Sequence, residues 1–455
     1  MNKALDYVRA NQERHVNELM EFLRLPSISA LPAHTGDIQR AAQFLAAEFS
    51  RIGVQNVRVL PTRGHPVVYG EWLEAGPSAP TVLIYGHYDV QPVDPVELWH
   101  SPPFEPVIRE GRIYARGATD DKGQVWLIVK AVEALLAAEG RLPVNVKFLI
   151  EGEEESGSAN LEEFVLAHQA LLAADHVLIC DTGFLAPGQP AIPYSVRGIV
   201  GAEVHITGPK TDLHSGGYGG TVRNPAHAMA AIIAAMHDEQ GHVRIPGFYE
   251  AVLPLSEAER EALNRVPYTL EKWQQATGLQ TPWGEPEFTL LERIGARPTC
   301  EVNGMWSGFQ GEGGKTIIPA QAGAKFTMRL VADQDPTVVA QQFQDYVMSL
   351  APQDLSVEVF LKSGCGPAMT PIDAPEINAA ARAYEAVWGV SPVYLRGGGS
   401  LPILATFRSA LGLPFVCLGF GLPDCGAHAP NEWMDLNYFH LGSEAVIRYL
   451  HYLNE

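Results

Sequence analysis

The sequence predicts an α/β fold with a largely parallel sheet, split by an inserted α+β domain. Two observations carry this. The continuous apolar run Thr81–Tyr85 (TVLIY) and further runs expected to be buried, such as Val144–Ile150 (VNVKFLI), alternate with helical segments, as in a sheet covered on both faces. The middle of the chain instead alternates polar and apolar residues over Ile199–Gly208, Thr299–Ser307, Ala322–Ala332 and Leu355–Lys362, the pattern of half-exposed strands.

In chain order, the first residues form an amphipathic helix, with Leu5, Val8, Val16, Leu19, Phe22 and Leu23 at roughly helical spacing. Charges interrupt them, so no signal-peptide core is expected. A second helix covers Asp37–Ile52, and short strands follow at Val57–Leu60 and Val67–Leu73. The run Thr81–Tyr85 stops at Gly86, with His87, Tyr88 and Asp89 next. A strand leads into YARGATDDKG (residues 114–123), and a helix is expected from about Gln124 to Ala138. Val144–Ile150 ends at Glu151, ahead of Glu153, Glu154 and Glu155. After a helix near Leu161–Ala173, Val177–Cys180 ends at Asp181, and Phe415–Gly419 precedes the loop that holds His428.

The central strands enclose helices opened by Asn224-Pro225 and Asp335-Pro336, each a capping residue followed by proline at the first helical position. The order βαββαβ is ferredoxin-like. A further helix at Ser256–Arg265 starts with a capping box, Ser256 and Glu259. The expected domains are residues 1–195 plus 365–455, and the insert 196–364.

Composition narrows the function. The net charge of −20 argues against nucleic acid or an anionic membrane surface as partner. No apolar run is long enough to span a membrane. The five cysteines are odd in number and lack C-x-x-C spacing, so neither a disulfide framework nor a cysteine zinc site is expected, and a reducing cytoplasm suits them.

His87, Asp120, Glu154, Glu155, Asp181 and His428 all follow strands, at the sheet end where ligands bind. Taken alone, Asp120 and Asp121 read equally as the N-cap of a helix. Two imidazoles with several carboxylates suit Zn²⁺, Mn²⁺ or Co²⁺. They exceed what one catalytic zinc takes and match two metals sharing a carboxylate, clamping a bridging water. One acid of the Glu154-Glu155 pair then serves as metal ligand and the other as base.

GHYDVQP (86–92), RGATDDKG (116–123), EGEEESGS (151–158), CDT (180–182) and GAHAPNE (426–432) occur in this order. The chain resembles the dinuclear-metal peptidases that include carnosinase, the aminoacylases and succinyl-diaminopimelate desuccinylase, and within them most nearly the carnosinase-like dipeptidases. The resemblance implies a zinc-exopeptidase-like catalytic domain and an insert that acts as lid and dimerisation domain. It implies two divalent cations, zinc foremost, bound by His87, Asp120, Glu155, Asp181 and His428, with Asp120 bridging. Asp89 would orient His87, Glu154 would be the general base, and a cis peptide would follow Asp120. Asp121 reads as a structural acid.

In the insert, TDLHSGGYGG (211–220) resembles a loop that places His214 over the partner subunit's site as an oxyanion stabiliser. Thr316 and Arg329 resemble residues that hold the substrate's C-terminal carboxylate, and Gly399 and Ser400 of GGGS (397–400), back in the catalytic domain, would cradle the same group. The implied activity is hydrolysis of dipeptides or short peptides with a free C-terminal carboxylate, in a homodimer. The alternative is an N-acyl-amino-acid amidohydrolase with the same site.

Overall fold

The computed structural model describes residues Met1–Glu455. The chain divides into two compact units: Met1–Tyr194 with Thr370–Leu395 and Thr406–Glu455, and Ser195–Met369 with Arg396–Ala405.

The first unit is built on a six-stranded sheet in the order Gln55–Leu60, Val67–Trp72, Asn145–Glu151, Thr81–His87, His176–Ile179, Phe415–Cys417. The last four run parallel, and the first two add an antiparallel edge. Strand Asn145–Glu151 is buried at every position, as in a sheet covered on both sides, and its Lys147 satisfies its ammonium on Leu171 O and Ala173 O. Register fixes what stands at the strand ends. His87 lies opposite Glu151, and Tyr85 lies opposite Ile179, which brings Asp181 level with His87.

Helix Lys122–Glu139 packs between the sheet and the helices Asn2–Ala10, Gln12–Leu23 and Leu436–Tyr452. It has little polar face because nearly all of its surface is covered: Trp126 sits 5.4 Å from Phe22 and 5.6 Å from Phe44, ring centre to ring centre. It starts at Lys122, two residues before the expected Gln124. The helix expected near Leu161–Ala173 is two short ones, Leu161–Ala167 and Gln169–Leu172, which meet at His168. No helix is long and apolar enough to cross a membrane, and all five cysteines are free.

The second unit holds a four-stranded antiparallel sheet in the order Thr299–Ser307, Gln321–Leu330, Gly198–Thr207, Ser356–Leu361. Gly198–Thr207 alternates between buried and half-buried positions up to Ile206 and ends on the exposed Thr207. Helices Pro225–Ala235 and Pro336–Leu350 bury Met229, Ile232, Phe343 and Val347 in a core with Val200, Val204, Phe326 and Met328. The caps are those the sequence announces: Asn224 accepts from Ala226 N, Asp335 from Thr337 N and Val338 N, and Ser256 and Glu259 form a reciprocal box.

Two expectations are corrected. The strand before Asp120, Arg112–Tyr114, is not part of the main sheet. It pairs with Val107–Arg109 and Trp433–Asp435 in a small separate sheet. Residues 396–405, with the GGGS loop, belong to the second unit and not to the flanking domain. Side-chain and main-chain bonds hold them there: Arg396 pairs with Glu259, Arg197 N donates to Gly399 O at 2.8 Å, and Arg329 reaches Ser400.

Candidate metal centre

Five segments of the first unit converge on one point. His87 ends its strand and is fully buried. Its Nε2 lies 3.2 Å from Asp120 Oδ1 and 3.7 Å from Asp181 Oδ2. His428 Nε2 lies 2.9 Å from Asp120 Oδ2 and 3.2 Å from Glu155 Oε2. Asp120 therefore faces one histidine with each of its oxygens. His87, Glu155, Asp181 and His428 distribute around it in two pairs, His87 with Asp181 and His428 with Glu155. His428 takes a left-handed backbone, φ 61°, which few residues other than glycine adopt. The peptide between Asp120 and Asp121 is cis.

The Asp120 loop is held by a residue that sequence reasoning passed over. Glu432 is fully buried, and its carboxylate accepts from the backbone N–H groups of Gly117 (2.9 Å), Thr119 (2.9 Å) and Asp120 (3.0 Å) and from Arg116 Nη1 (2.8 Å). One carboxylate thus satisfies three amides of a tight turn and one buried guanidinium. Its signal was present: it closes the GAHAPNE motif. Asp121 accepts from His87 N at 3.2 Å. Gly86 leaves room for it, because a Cβ there would lie 2.7 Å from Asp121 Oδ2 and 2.6 Å from Val125 Cγ2.

Asp89 lies between His87 and the Glu154–Glu155 turn. Its carboxylate stands 3.4 Å from His87 Nδ1, farther than its own carbonyl oxygen at 3.1 Å. The two carboxylate oxygens accept from Glu154 N (3.2 Å) and Glu155 N (3.0 Å), so Asp89 sets the turn that carries both acids. Gln91 Nε2 donates to Glu155 Oε2 at 2.8 Å. Glu151 is engaged by Tyr85 and Ser158, and Glu153 by Asn160.

The electrostatics show a site short of positive charge. Burial pushes Asp181 up to about 7, and His87 offsets only part of that. Burial also raises Glu154. Asp120 is held low, because its contacts with His428 and His87 outweigh desolvation. His87 is raised in spite of burial by Asp120, Asp89 and Asp181. His428 is raised to about 10 by its contacts with Asp120 and Glu155. No lysine or arginine pairs with Asp120, Glu154, Glu155 or Asp181: Arg116 is committed to Glu432, and Lys122 Nζ points to Leu25 O at 2.6 Å. His87 Nε2 and Glu155 Oε1 are buried without a hydrogen-bond partner. Orphaned buried atoms of ligand type, in a group dominated by carboxylates, fit bound divalent cations. A cleft of about 350 Å³ opens beside Asp120 and Asp181, walled by Phe184, Leu422, Pro423 and Ala427.

The remaining expected residues lie in the second unit. His214 pairs with Ile317 across a short ladder, and Thr316 O accepts from Ser215 N at 3.0 Å, so the His214 and Thr316 loops are joined. His214 is exposed, and its Nδ1 accepts from Gly216 N at 2.9 Å. Arg329 Nη1 donates to Ser400 Oγ at 2.7 Å, which brings Arg329, Gly399 and Ser400 to one place.

The description "Peptidase family M20/M25/M40" matches residues 83–452. The chain belongs to this family. Among its M20 relatives, the Cys-Gly metallodipeptidase of Schizosaccharomyces pombe is 32% identical over 100% of this chain and 98% of its own length. The Beta-Ala-His dipeptidase of Homo sapiens is 30% identical over 95% of this chain and 88% of its own. The M20 family metallo-carboxypeptidase of Sulfolobus solfataricus, known by crystal structure, is 34% identical with a TM-score of 0.79, covering 97% of this chain and 99% of that one. Membership accounts for the split fold: the dinuclear-metal family that the motifs resemble is this one.

Proposed function

We propose that this M20 peptidase hydrolyses the amide bond of dipeptides or short peptides that carry a free C-terminal carboxylate. The observation that carries the reading is the convergence of His87, Asp120, Glu155, Asp181 and His428 with no lysine or arginine among them. These residues would hold two divalent cations, Asp120 serving both, and zinc suits the mixed imidazole and carboxylate donors best, with manganese or cobalt next. Bound there, the cations supply Lewis-acid charge to the scissile carbonyl and lower the pKa of water.

Glu154 takes the role of general base. Of Asp120, Glu154, Glu155 and Asp181, it is the one in no ion pair with a histidine. Its carboxylate is thus free to accept a proton, and burial raises its proton affinity. It accepts the proton of the attacking water and returns it to the leaving amine. Asp89 holds Glu154 by its amide nitrogen, so the base stays in place while its side chain stays free. Arg329 pairs with the substrate carboxylate through its planar fork, aided by Ser400 and the backbone of Gly399, with Thr316 on the adjoining segment.

His214 fits the part of an oxyanion donor acting in the partner subunit of a homodimer. Its support is exposure on a loop together with an Nε2 that no bond engages. Two-fold assembly would let each chain give and receive this loop.

The principal test pairs metal analysis with a substrate panel: dipeptides, tripeptides, and N-acetyl and N-succinyl amino acids. Fast turnover of dipeptides is expected. Preference for N-acyl amino acids would replace this reading with an amidohydrolase. Glu154→Gln should keep both metals and lose about 10²–10⁴-fold in kcat; activity within a few-fold of wild type would remove Glu154 as base. For the dimer, co-expressed His214→Ala and Glu154→Gln chains should recover roughly a quarter of wild-type activity when assembly is random, although each homodimer is nearly inactive. No recovery in mixed dimers would show that His214 does not act in trans.

A further inference from the structure

The second unit contains two guanidinium groups that share one loop and have no acid between them. Arg329 lies near the end of strand Gln321–Leu330, opposite Ile199. Arg197 stands two residues before Ile199, in the break between strands Ala191–Val196 and Gly198–Thr207, close enough for the charge of Arg329 to act on it. Both point at the glycine loop: Arg197 Nε donates to Gly398 O at 2.7 Å, and Arg329 Nη1 to Ser400 Oγ at 2.7 Å.

The loop is fastened as well as approached. Gly397 N donates to Ser195 O at 2.6 Å, and Arg197 N to Gly399 O at 2.8 Å. Gly398 packs so closely that a Cβ would come 2.9 Å from Ile294 Cγ2.

Neither guanidinium is paired with a carboxylate. The acid that acts on Arg197 at a distance is Glu301, an exposed residue on the neighbouring strand. Burial, and then the charge of Arg329, bring Arg197 down to about 10, well below the usual arginine range. Placing two partly desolvated cations together is unfavourable unless an anion joins them. The bonds to Gly398 O and Ser400 Oγ leave Nη1 and Nη2 of Arg197 and most of the Arg329 fork without a partner. Two forks and a hydroxyl offer enough donors to surround one carboxylate, whose charge would relieve the repulsion between the two cations.

We infer that Arg197 is a second carboxylate-binding residue, forming with Arg329 and Ser400 a two-guanidinium clamp for the C-terminal carboxylate of the peptide substrate. This rests on the reading of Arg329 given above. It explains why the glycine loop travels with the second unit: the loop is one wall of the clamp and is fixed by Arg197 from both its main chain and its side chain.

The test compares a dipeptide with its C-terminal amide in wild type, Arg197→Gln, Arg197→Lys and Arg329→Ala. Arg197→Gln should raise KM for the free acid by about tenfold or more, leave KM for the amide within about twofold, and change kcat little. Arg197→Lys should fall between, because it keeps a charge without the fork. Equal losses on acid and amide in Arg197→Gln, with the acid-specific loss present in Arg329→Ala, would overturn the inference while the Arg329 reading stands. Absence of an acid-specific loss in Arg329→Ala as well would overturn both. If Arg197→Gln does not fold, Arg197→Lys decides: a several-fold rise in the acid-to-amide KM ratio supports the clamp, and an unchanged ratio refutes it.

Discussion

Two clusters in the first unit each bring three potential metal-ligand atoms within 4.8 Å of one another: His87, Asp120 and Glu155 in one, and Glu18, Glu48 and Glu133 in the other. By acid count alone, the second is the better cation site. It already contains its cations. Lys130, fully buried, places Nζ 2.5 Å from Glu18 Oε2 and 3.0 Å from Glu133 Oε2, and also pairs with Glu48. Arg14 reaches Glu133 at 2.7 Å, and Arg51 reaches it at 2.9 Å. The first cluster has one imidazole, with that of His428 against Asp120 and Glu155, and its neighbouring Arg116 and Lys122 are turned to other partners. What separates a metal centre from an internal salt network is therefore the supply of fixed positive charge. A lysine or arginine closes such a site permanently, whereas histidines leave it open to an exchangeable cation.

The sharpest way to break this comparison is to remove one acid from each cluster. Asp120→Ala should lose both metals together and nearly all activity, since one carboxylate is proposed to serve both. Elemental analysis that finds one metal at full occupancy would argue against the shared role. Glu133→Gln should keep a full metal complement and its catalytic constants, and lose stability instead. Metal loss from Glu133→Gln would mean the two clusters are not distinct in kind.

A smaller effect is expected where the metal centre is supported from behind. Glu432→Gln preserves shape but weakens four charge-assisted bonds to the Asp120 loop. Loss of such a support typically costs about 10–100-fold in metal affinity or activity. Metal titration with a competing chelator should show weakened affinity; unchanged affinity would make Glu432 a purely folding residue.

The last effect is on stability rather than activity, and its pH dependence is confined to acid pH. Glu133 is held down to about 2 from an ordinary 4.5: burial alone would raise it, and Lys130 and Arg14 more than reverse that. Because the folded value lies below the unfolded one, its stabilisation is complete above pH 4.5 and disappears as pH falls toward 2. The gap in melting temperature between wild type and Glu133→Gln, measured without metals, should therefore narrow steadily from pH 5 downward. Removing one partner of a buried ion pair costs about 3–5 kcal/mol at neutral pH. A gap independent of pH would show that packing, not charge, separates the two proteins.

The candidate metal centre could be proposed from sequence because its residues sit in short local motifs: His87, Asp120, Glu154, Glu155, Asp181 and His428 each occupy a strand end or loop named by its own few neighbours. The salt network was not. Arg14, Glu18, Glu48, Arg51, Lys130 and Glu133 lie on three separate helices, and each reads along the chain as an ordinary charge on an amphipathic helix. They meet, with Lys130 and Glu133 buried, only because helix Lys122–Glu139 is covered by the helices that carry the others.

The sequence by itself determined the alternation of buried strands and helices, the inserted antiparallel sheet, the helix caps and the identity of the candidate ligands. These depend on period, cap chemistry and side-chain type, which act over a few residues. Tertiary structure alone decided which carboxylates find a fixed cation. It also decided that Asp89 holds the backbone of Glu154 and Glu155, that Glu432 gathers the amides around Asp120, and that residues 396–405 join Arg197 and Arg329. Each is a contact between segments far apart in the chain, where hydrogen-bond geometry and desolvation, not local pattern, select the partner.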